Sequence, residues 1–522
     1  MLLAAPDLLT LVRRAGQLVG ERACLGVGAT AVTGYDLQRR VERAAAGLRA
    51  AGFGAGDRLA VLLHRSIDEA VAILAAAAAG GLAVPVHGKL KDDQVAHVLA
   101  DSEPFGVVTS PTRLVALRDP VRTLGGRRLW CVGDGTLPLP SMPFAALDGA
   151  GHELPAPTGS MPAVLLYTSG STGLQKGIVQ DHHNLALGAA LVASYLGLAA
   201  TDHLLALLPL SFDYGLNQLL SALHVGCRIT SADHLGTGEL AQLLRQWRPT
   251  GLAGVPSLWH EVASGLASGA LLPADGASLR YVTNSGGALR ASDSAVLRGS
   301  WPHVRVFAMY GLTEAFRSAF LDPAEFDRWP ESFGRALPGV ELLLVSAATG
   351  EVLTGAATGE LVHAGALVAR GYWRRPEDTA RSFRPDPRGG GGTVVYSGDI
   401  VRRDAEGRHF FVGRADRLLK VQGHRVSPDE VAAAIAGLPG VGEVAVFGLP
   451  GGPEGHRIVL VVSGDPGDAG LRERLQRQCR ARLPSYMLPA VVQVLAVLPH
   501  NQNGKVDEIA LRATMGPCTD AP

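Results

Sequence analysis

Residue types able to do chemistry gather first at Tyr167–Gly177, which reads YTSGSTGLQKG. Thr168, Ser169, Ser171 and Thr172 supply hydroxyls, Gly170, Gly173 and Gly177 supply backbone freedom, and Lys176 supplies a positive charge. Glycines let a chain curl with its N–H groups inward, and such a concavity, with hydroxyls and a cation added, suits a polyphosphate. The stretch is not a Walker A loop, since Gln175 precedes Lys176 and Gly177 follows it, where that pattern has Gly-Lys followed by Ser or Thr. The competing reading is a flexible Ser/Gly surface loop.

Three further groups stand in polar turns. YGLTE (Tyr310–Glu314) places an aromatic ring, a hydroxyl and a carboxylate after the predicted strand Val304–Met309. A carboxylate beside a triphosphate requires a divalent cation between them, because like charges repel. Alone, the pentapeptide reads equally as a helix cap with its capping carboxylate. Asp399 in VYSGDIVRRD, at a predicted strand end, and Arg414 in GRADRLLK carry opposite charges, and each by itself is most simply a surface ion pair. Lys505 follows Asn503-Gly504 in a tight turn near the C-terminus.

The elements that must position these residues alternate. Ala163–Leu166 reads as a buried strand entering the hydroxyl-rich stretch, and an apolar pattern resumes at Ile178-Val179. The periodicity predicts an amphipathic first helix, helices over 33–53 and 67–79, and strands over 58–63, 83–86, 106–109, 204–208 and 279–283. Alternation of this kind predicts an α/β fold with largely parallel sheets, whose ligands gather outside the strands' carboxyl ends. NSGGAL (Asn284–Leu289) and YGLTE fall there. After a Pro/Gly-rich connection over 385–392, the chain from about Asp416 reads as a separate small α+β domain.

Length and composition bound the rest. At 522 residues the chain exceeds one ordinary core. Its 48 basic and 48 acidic residues balance, which favours neither nucleic acid nor an anionic membrane as partner. Five scattered cysteines form no metal or disulfide pattern, which fits a reducing, cytoplasmic setting. The longest apolar run, Ala70–Val86, is broken by Gly80-Gly81 and Pro85 and is too short to span a bilayer comfortably. Adjacent His182-His183 cannot share a helix face and read as a helix start rather than metal ligands.

In their order along the chain, these motifs resemble the adenylate-forming superfamily: acyl-CoA synthetases, amino-acid adenylation domains and luciferases. The likeness runs from about Thr33 to about Leu511. It implies a large N-terminal domain (1–415) of stacked, mostly parallel sheets with helices and a small β-barrel, and a small mobile α+β domain (416–522). ATP with Mg²⁺ and a carboxylic acid would give an acyl-adenylate and pyrophosphate, and a thiol would then displace AMP. On this resemblance Thr168–Gly173 and Lys176 hold phosphates, Tyr310 stacks on adenine beside Gly286 and Gly287, and Asp399 and Arg414 hold the ribose. Glu314 is the magnesium ligand, Thr313 faces the phosphates, and Lys505 steadies the carboxylate oxygen and α-phosphate. Lys420 and Gly423 serve the thiol side, with a hinge at Asp416.

Two departures bear on the substrate. Ala308 stands where many relatives carry a polar residue for the adenine amine, which passes that contact to the backbone of Asn284–Gly287. SFDYGLNQ (211–218) carries Phe-Asp, as amino-acid adenylation domains do, where many acyl-CoA synthetases show histidine; Asp213 would then pair with an ammonium. Asn217, Gly254, Thr283, Ser285, Met309, Arg317 and Ser318 would complete a small to medium, fairly polar pocket. Asp213 and Arg317 either each hold part of a charged substrate or neutralise one another. SFDYGLNQ, TNSGGAL and YGLTEAFRS also resemble exosortase-associated acyl-CoA ligases.

The chain ends soon after Lys505, so the thiol is expected from CoA or from a separate phosphopantetheinyl carrier protein. Three other classes remain for experiment: a luciferase-like oxygenase, an ADP-releasing phosphoryl transferase and a non-catalytic nucleotide sensor.

Overall fold

The computed structural model describes residues 6–90, 92–115, 117–135, 137–149, 152–169, 175–417, 419–421, 424–450, 456–483, 487–501 and 504–515. A seven-stranded sheet runs, edge to edge, through Met142–Pro143, Leu129–Cys131, Gly106–Thr109, Arg58–Leu62, Leu82–Pro85, Pro162–Ser169 and Gln175–Asp181. Its strands are parallel except the last pair, an antiparallel hairpin whose register sets Ser169 opposite Gln175 and Thr168 opposite Lys176. The hydroxyl-rich stretch therefore joins two paired strands, and Gly170–Gly173 themselves lie outside the described residues.

The second sheet has fifteen strands. Its parallel half comprises Arg305–Tyr310, Tyr281–Asn284, Gly251–Gly254, His203–Ala206, Arg228–Ser231 and Ala23–Val27 in that spatial order. From Arg305–Tyr310 the pairing continues antiparallel through Ala319–Phe320, Ser332–Ala336, His409–Arg414, Thr393–Arg403, Ala357–Gly365, Val340–Val345 and Val352–Leu353. The region expected as a small barrel is thus continuous with the parallel sheet.

Between the sheets lies one core. It takes Leu59, Val61 and Val164 from the first sheet and Leu204, Ala206 and Ile229 from the second, with helices Leu8–Val19, Gly34–Ala50, Ile67–Ala78, His182–Leu196 and Asp213–Val225 between them. That placement explains the longest apolar run. A helix covered on every side has no polar face, and Ala70 and Ala72–Ala79 of this run are all buried. Gly80 turns left-handed (φ 88°) to end it, and Leu82–Pro85 is the strand that follows. Asp7, which breaks the N-terminal apolar pattern, caps the first helix by accepting from the Thr10 N–H at 2.8 Å. Among the described residues no helix is long and apolar enough to cross a membrane.

One carboxylate sits in this core at a cost. Burial pushes Glu69 up to about 7 from an ordinary 4.5, with Arg65 pulling the other way. The folded chain therefore holds that proton more tightly than the unfolded chain does. Stability is highest below pH 4.5 and falls until about pH 7, by on the order of 3 kcal/mol from this group. Glu69→Gln is accordingly expected to raise the thermal midpoint more at pH 8 than at pH 4.5; an equal change at both would refute the assignment.

The C-terminal part packs Val444–Pro450, His456–Ser463 and Val491–Leu495 against helices Pro428–Ile435 and Leu471–Arg482 around its own core.

Candidate active site

The carboxyl ends of Gly251–Gly254, Tyr281–Asn284 and Arg305–Tyr310 open on one edge, which assembles residues distant in sequence. Gly286 adopts φ 86°, a conformation that favours glycine, and Asn284 Nδ2 donates to the Gly287 carbonyl at 2.8 Å to close the turn. Tyr310, the last residue of its strand, stacks on Phe333 with centroids 4.4 Å apart and donates its hydroxyl to Asp399. Arg414 Nη1 donates to the other Asp399 oxygen at 2.8 Å. Asp399 was expected at a strand end but lies within Thr393–Arg403. It is aimed instead by Gly398, whose φ of 73° and the neighbouring register shifts kink the strand there.

Lys176 reaches Asp378 at 2.9 Å and lies 5.5 Å from the Tyr372 ring centre. The Tyr372 hydroxyl in turn donates to Glu314 Oε1 at 2.7 Å. Surrounding protein pushes the Glu314 carboxyl up, with Asp213 adding to the rise, while the Tyr372 bond opposes it. Tyr372 and Asp378 tie the cationic end of the hairpin to the YGLTE carboxylate, and the sequence reading missed both. Their GYWRRPEDTA setting lay between the recognised motifs and had no pattern of its own.

Asp213 opens helix Asp213–Val225, and its Oδ2 accepts from Thr313 Oγ1 at 3.2 Å. Lys505 faces the same place. Its turn closes through Asn501 N–H to the Lys505 carbonyl at 2.7 Å, with Gly504 at φ 73°. A Cβ on Gly504 would come within 3.1 Å of Ser257 Oγ, so this turn abuts helix Pro256–Ser268. Lys505 keeps solvent-exposed surface, as a side chain in a cleft does. The protein around its ammonium still lowers its pKa, while Asp213 and Asp399 raise it and Arg414 lowers it further. Asp416 ends no regular strand, lying in the single turn Ala415–Arg417; Lys420 lies in hairpin strand Leu419–Val421, and Gly423 is outside the described residues.

A narrow cavity of about 20 Å³ is lined by Asn217, Thr283, Met309 and Arg317 as expected, and also by Tyr214 and Ser221. Asp213, Gly254, Ser285 and Ser318, expected in the pocket, are not among its lining residues. Gly254 faces the core, where a Cβ would lie 2.7 Å from Trp259. Its walls are more apolar than expected, including Val192, Leu196 and Leu198. Asp213, Asn217 and Ser221 recur every four residues and so share one helix face. That spacing was visible in the sequence once the segment was known to be helical.

Arg317 and Asp213 do not neutralise one another. No ion pair joins them among the described residues; Arg317 lies over the Tyr214 ring at 4.6 Å instead. It is 3 % exposed, and its Nε and Nη2 have no hydrogen-bond partner among the described residues. A buried unpaired guanidinium costs several kcal/mol, and cation–π attraction returns about 2. The backbone is strained beside it as well. Phe316 has φ 52° and ψ −61°, and Arg317 N–H donates to the Ala315 carbonyl at 2.7 Å, a positive-φ γ-turn. Such strain, about 1–3 kcal/mol, persists where surrounding packing enforces it. Here the Phe316 ring is fully buried against Gly188, where a Cβ would lie 2.4 Å away.

Comparison with known proteins accounts for this arrangement. Residues 11–373 match AMP-binding enzyme, and residues 430–505 match AMP-binding enzyme C-terminal domain. The chain belongs to the AMP-binding enzyme family. It is 32% identical to an L-proline–(L-prolyl-carrier protein) ligase of Streptomyces coelicolor, over 99% of this chain and 98% of that protein. It is 27% identical to surfactin synthase subunit 2 of Bacillus subtilis over 96% of this chain, and spans only 14% of that relative. ATP-bound MatB from Rhodopseudomonas palustris matches with a TM-score of 0.84 at 26% identity, over 96% of this chain and 98% of that one. As a family member the chain is an ATP-binding, AMP-forming ligase that activates an acid as its adenylate and transfers the acyl group to a thiol.

Proposed function

We propose that the acid is an amino acid and that the acceptor thiol belongs to a phosphopantetheinyl carrier protein. Asp213 carries this reading: a buried carboxylate at a helix start, steadied by Thr313 and in no salt bridge among the described residues, with the Lys505 ammonium within its field. A substrate ammonium supplies the missing charge. The likeness to the L-proline–(L-prolyl-carrier protein) ligase supports both the amino acid and the carrier.

In the first half-reaction the substrate carboxylate oxygen attacks the α-phosphorus of ATP, and the bond from that phosphorus to the bridging oxygen breaks, releasing pyrophosphate. Negative charge grows on the α-phosphate oxygens, where Lys505 stands. Lys176, Thr168, Ser169 and the loop 170–173 hold the outgoing phosphates. Tyr310 with Gly286 and Gly287 receives adenine, and Asp399 with Arg414 receives the ribose. Glu314 fits Mg²⁺, an ion that takes one or two carboxylates and completes its shell with phosphate and water; that ion supplies charge neutralisation of the phosphates. In the second half-reaction the carrier thiolate attacks the acyl carbon, and the bond from that carbon to the phosphate oxygen breaks as AMP leaves.

The test is ATP–pyrophosphate exchange across a panel of amino acids and of matched acids lacking the amine, followed by loading of a carrier protein. Exchange confined to acids without an amine overturns the amino-acid reading.

Lys505 and the thiol-side residues Lys420 and Gly423 occupy one small domain from residue 416 onward, and the two half-reactions call for them in turn. A rotation about Asp416 satisfies both. Asp416→Pro, which fixes φ at this residue, is expected to cut thioester formation about tenfold or more while sparing pyrophosphate exchange. Equal loss in both half-reactions would remove the hinge.

A further inference from the structure

We infer that the acid carries a second carboxylate, received by Arg317 and Asn217 inside the pocket. The inference rests on the acid-activating reading above and adds the substrate's class.

The argument starts from unmatched donors. Among the described residues Arg317 Nε and Nη2 and Asn217 Nδ2 are buried without partners, against one unmatched acceptor in the lining, Gln218 Oε1. The lining carries a guanidinium and no carboxylate. Three of the lining hydroxyls are engaged: Tyr214 with Thr283, and Ser221 with the Ala189 carbonyl and Asn217 Oδ1 at 3.3 Å each. A planar guanidinium flanked by an amide N–H matches a carboxylate, which accepts two parallel hydrogen bonds.

The strained turn at Phe316 strengthens the point. A guanidinium kept only for packing would be paired or turned to solvent, whereas this one follows a strained residue and lines the cavity with Nε and Nη2 unmatched among the described residues. The distances suit a short molecule. Asp213 and Asn217 lie about 6 Å apart along the helix axis, so an ammonium at the first leaves room for a side-chain carboxylate near the second. Both an acidic amino acid and a plain short dicarboxylic acid present this chemistry; the proposed role of Asp213 favours the former.

The experiment measures exchange by the full chain, wild type and Arg317→Met, with aspartate against asparagine, glutamate against glutamine, malonate and succinate, and proline and acetate. Wild type is expected to prefer an acid over its amide by about 100-fold or more in kcat/KM. Arg317→Met should erase that preference, leaving an acid and its amide with similar kcat/KM. Activity with aspartate or glutamate identifies an amino acid, and activity with malonate or succinate alone a plain dicarboxylate. Either supports the second carboxylate. Preference for proline or another neutral acid overturns it. Should Arg317→Met fail to fold, Asn217→Leu reads the same preference. If no acid supports exchange, calorimetric binding of the same acids decides. Arg317-dependent binding of a dicarboxylate upholds the pocket and sinks the activation reading, and its absence overturns the inference.

Discussion

Lys505→Ala is expected to slow adenylate formation about 10²–10³-fold, the effect of removing one placed donor from a site of growing negative charge. Asp213 and Asp399 both favour the charged form of this ammonium, and its turn abuts helix Pro256–Ser268. Its removal takes away charge that acts mainly after the phosphate oxygens begin to load, so kcat should fall much more than the apparent affinity for ATP. The informative control is the second half-reaction. Supplied with preformed acyl-adenylate, the variant should form thioester at nearly the wild-type rate, since on the proposed mechanism that step draws on Lys420 and Gly423 instead. A variant equally slow in both steps would show that Lys505 organises the site as a whole. An undiminished exchange rate would remove it from catalysis and favour a nucleotide-sensing role.

Asp213→Asn should discriminate among substrates. Losing one partner of a buried charge pair costs about 2–5 kcal/mol, or roughly 30-fold and upward in kcat/KM. The loss should fall on acids that bear an amine and spare matched acids without one. The asparagine keeps an oxygen able to accept from Thr313 Oγ1, so the 3.2 Å contact that steadies the YGLTE turn need not break. A uniform loss across both substrate sets would instead make Asp213 a support for Thr313 and the neighbouring Glu314. That outcome would return the choice of substrate to Arg317 and the cavity alone.

Both expectations concern residues whose types were readable in the chain. The hairpin around the phosphate stretch, the capped helix after Asp181 and the strands that empty into NSGGAL and YGLTE follow from local rules. Alternating apolar runs, hydroxyl caps and glycine turns act within a few residues. His182 illustrates the limit of a local reading. It begins a helix as expected, yet its Nδ1 also accepts from the Leu8 N–H at 3.2 Å, a contact across 174 positions that no pattern announces. Tyr372 and Asp378 escaped for the same reason: their importance comes from what they touch, Glu314 and Lys176.

The sequence by itself determined the class of chemistry, because a polyphosphate loop, a carboxylate-bearing turn and a terminal lysine need only residue type and order to be recognised. It also carried the α/β alternation, since periodicity is a property of neighbours. Only the tertiary structure decided the fate of Asp213 and Arg317, which the sequence left equally able to pair or to stand apart. Two charges 104 positions apart are related by the packing of a helix against a strained turn, and that packing keeps Arg317 over Tyr214 rather than beside Asp213. The cavity beside Arg317 is therefore a product of long-range contacts, while the motifs proposed for the nucleotide are spelled out in short words along the chain.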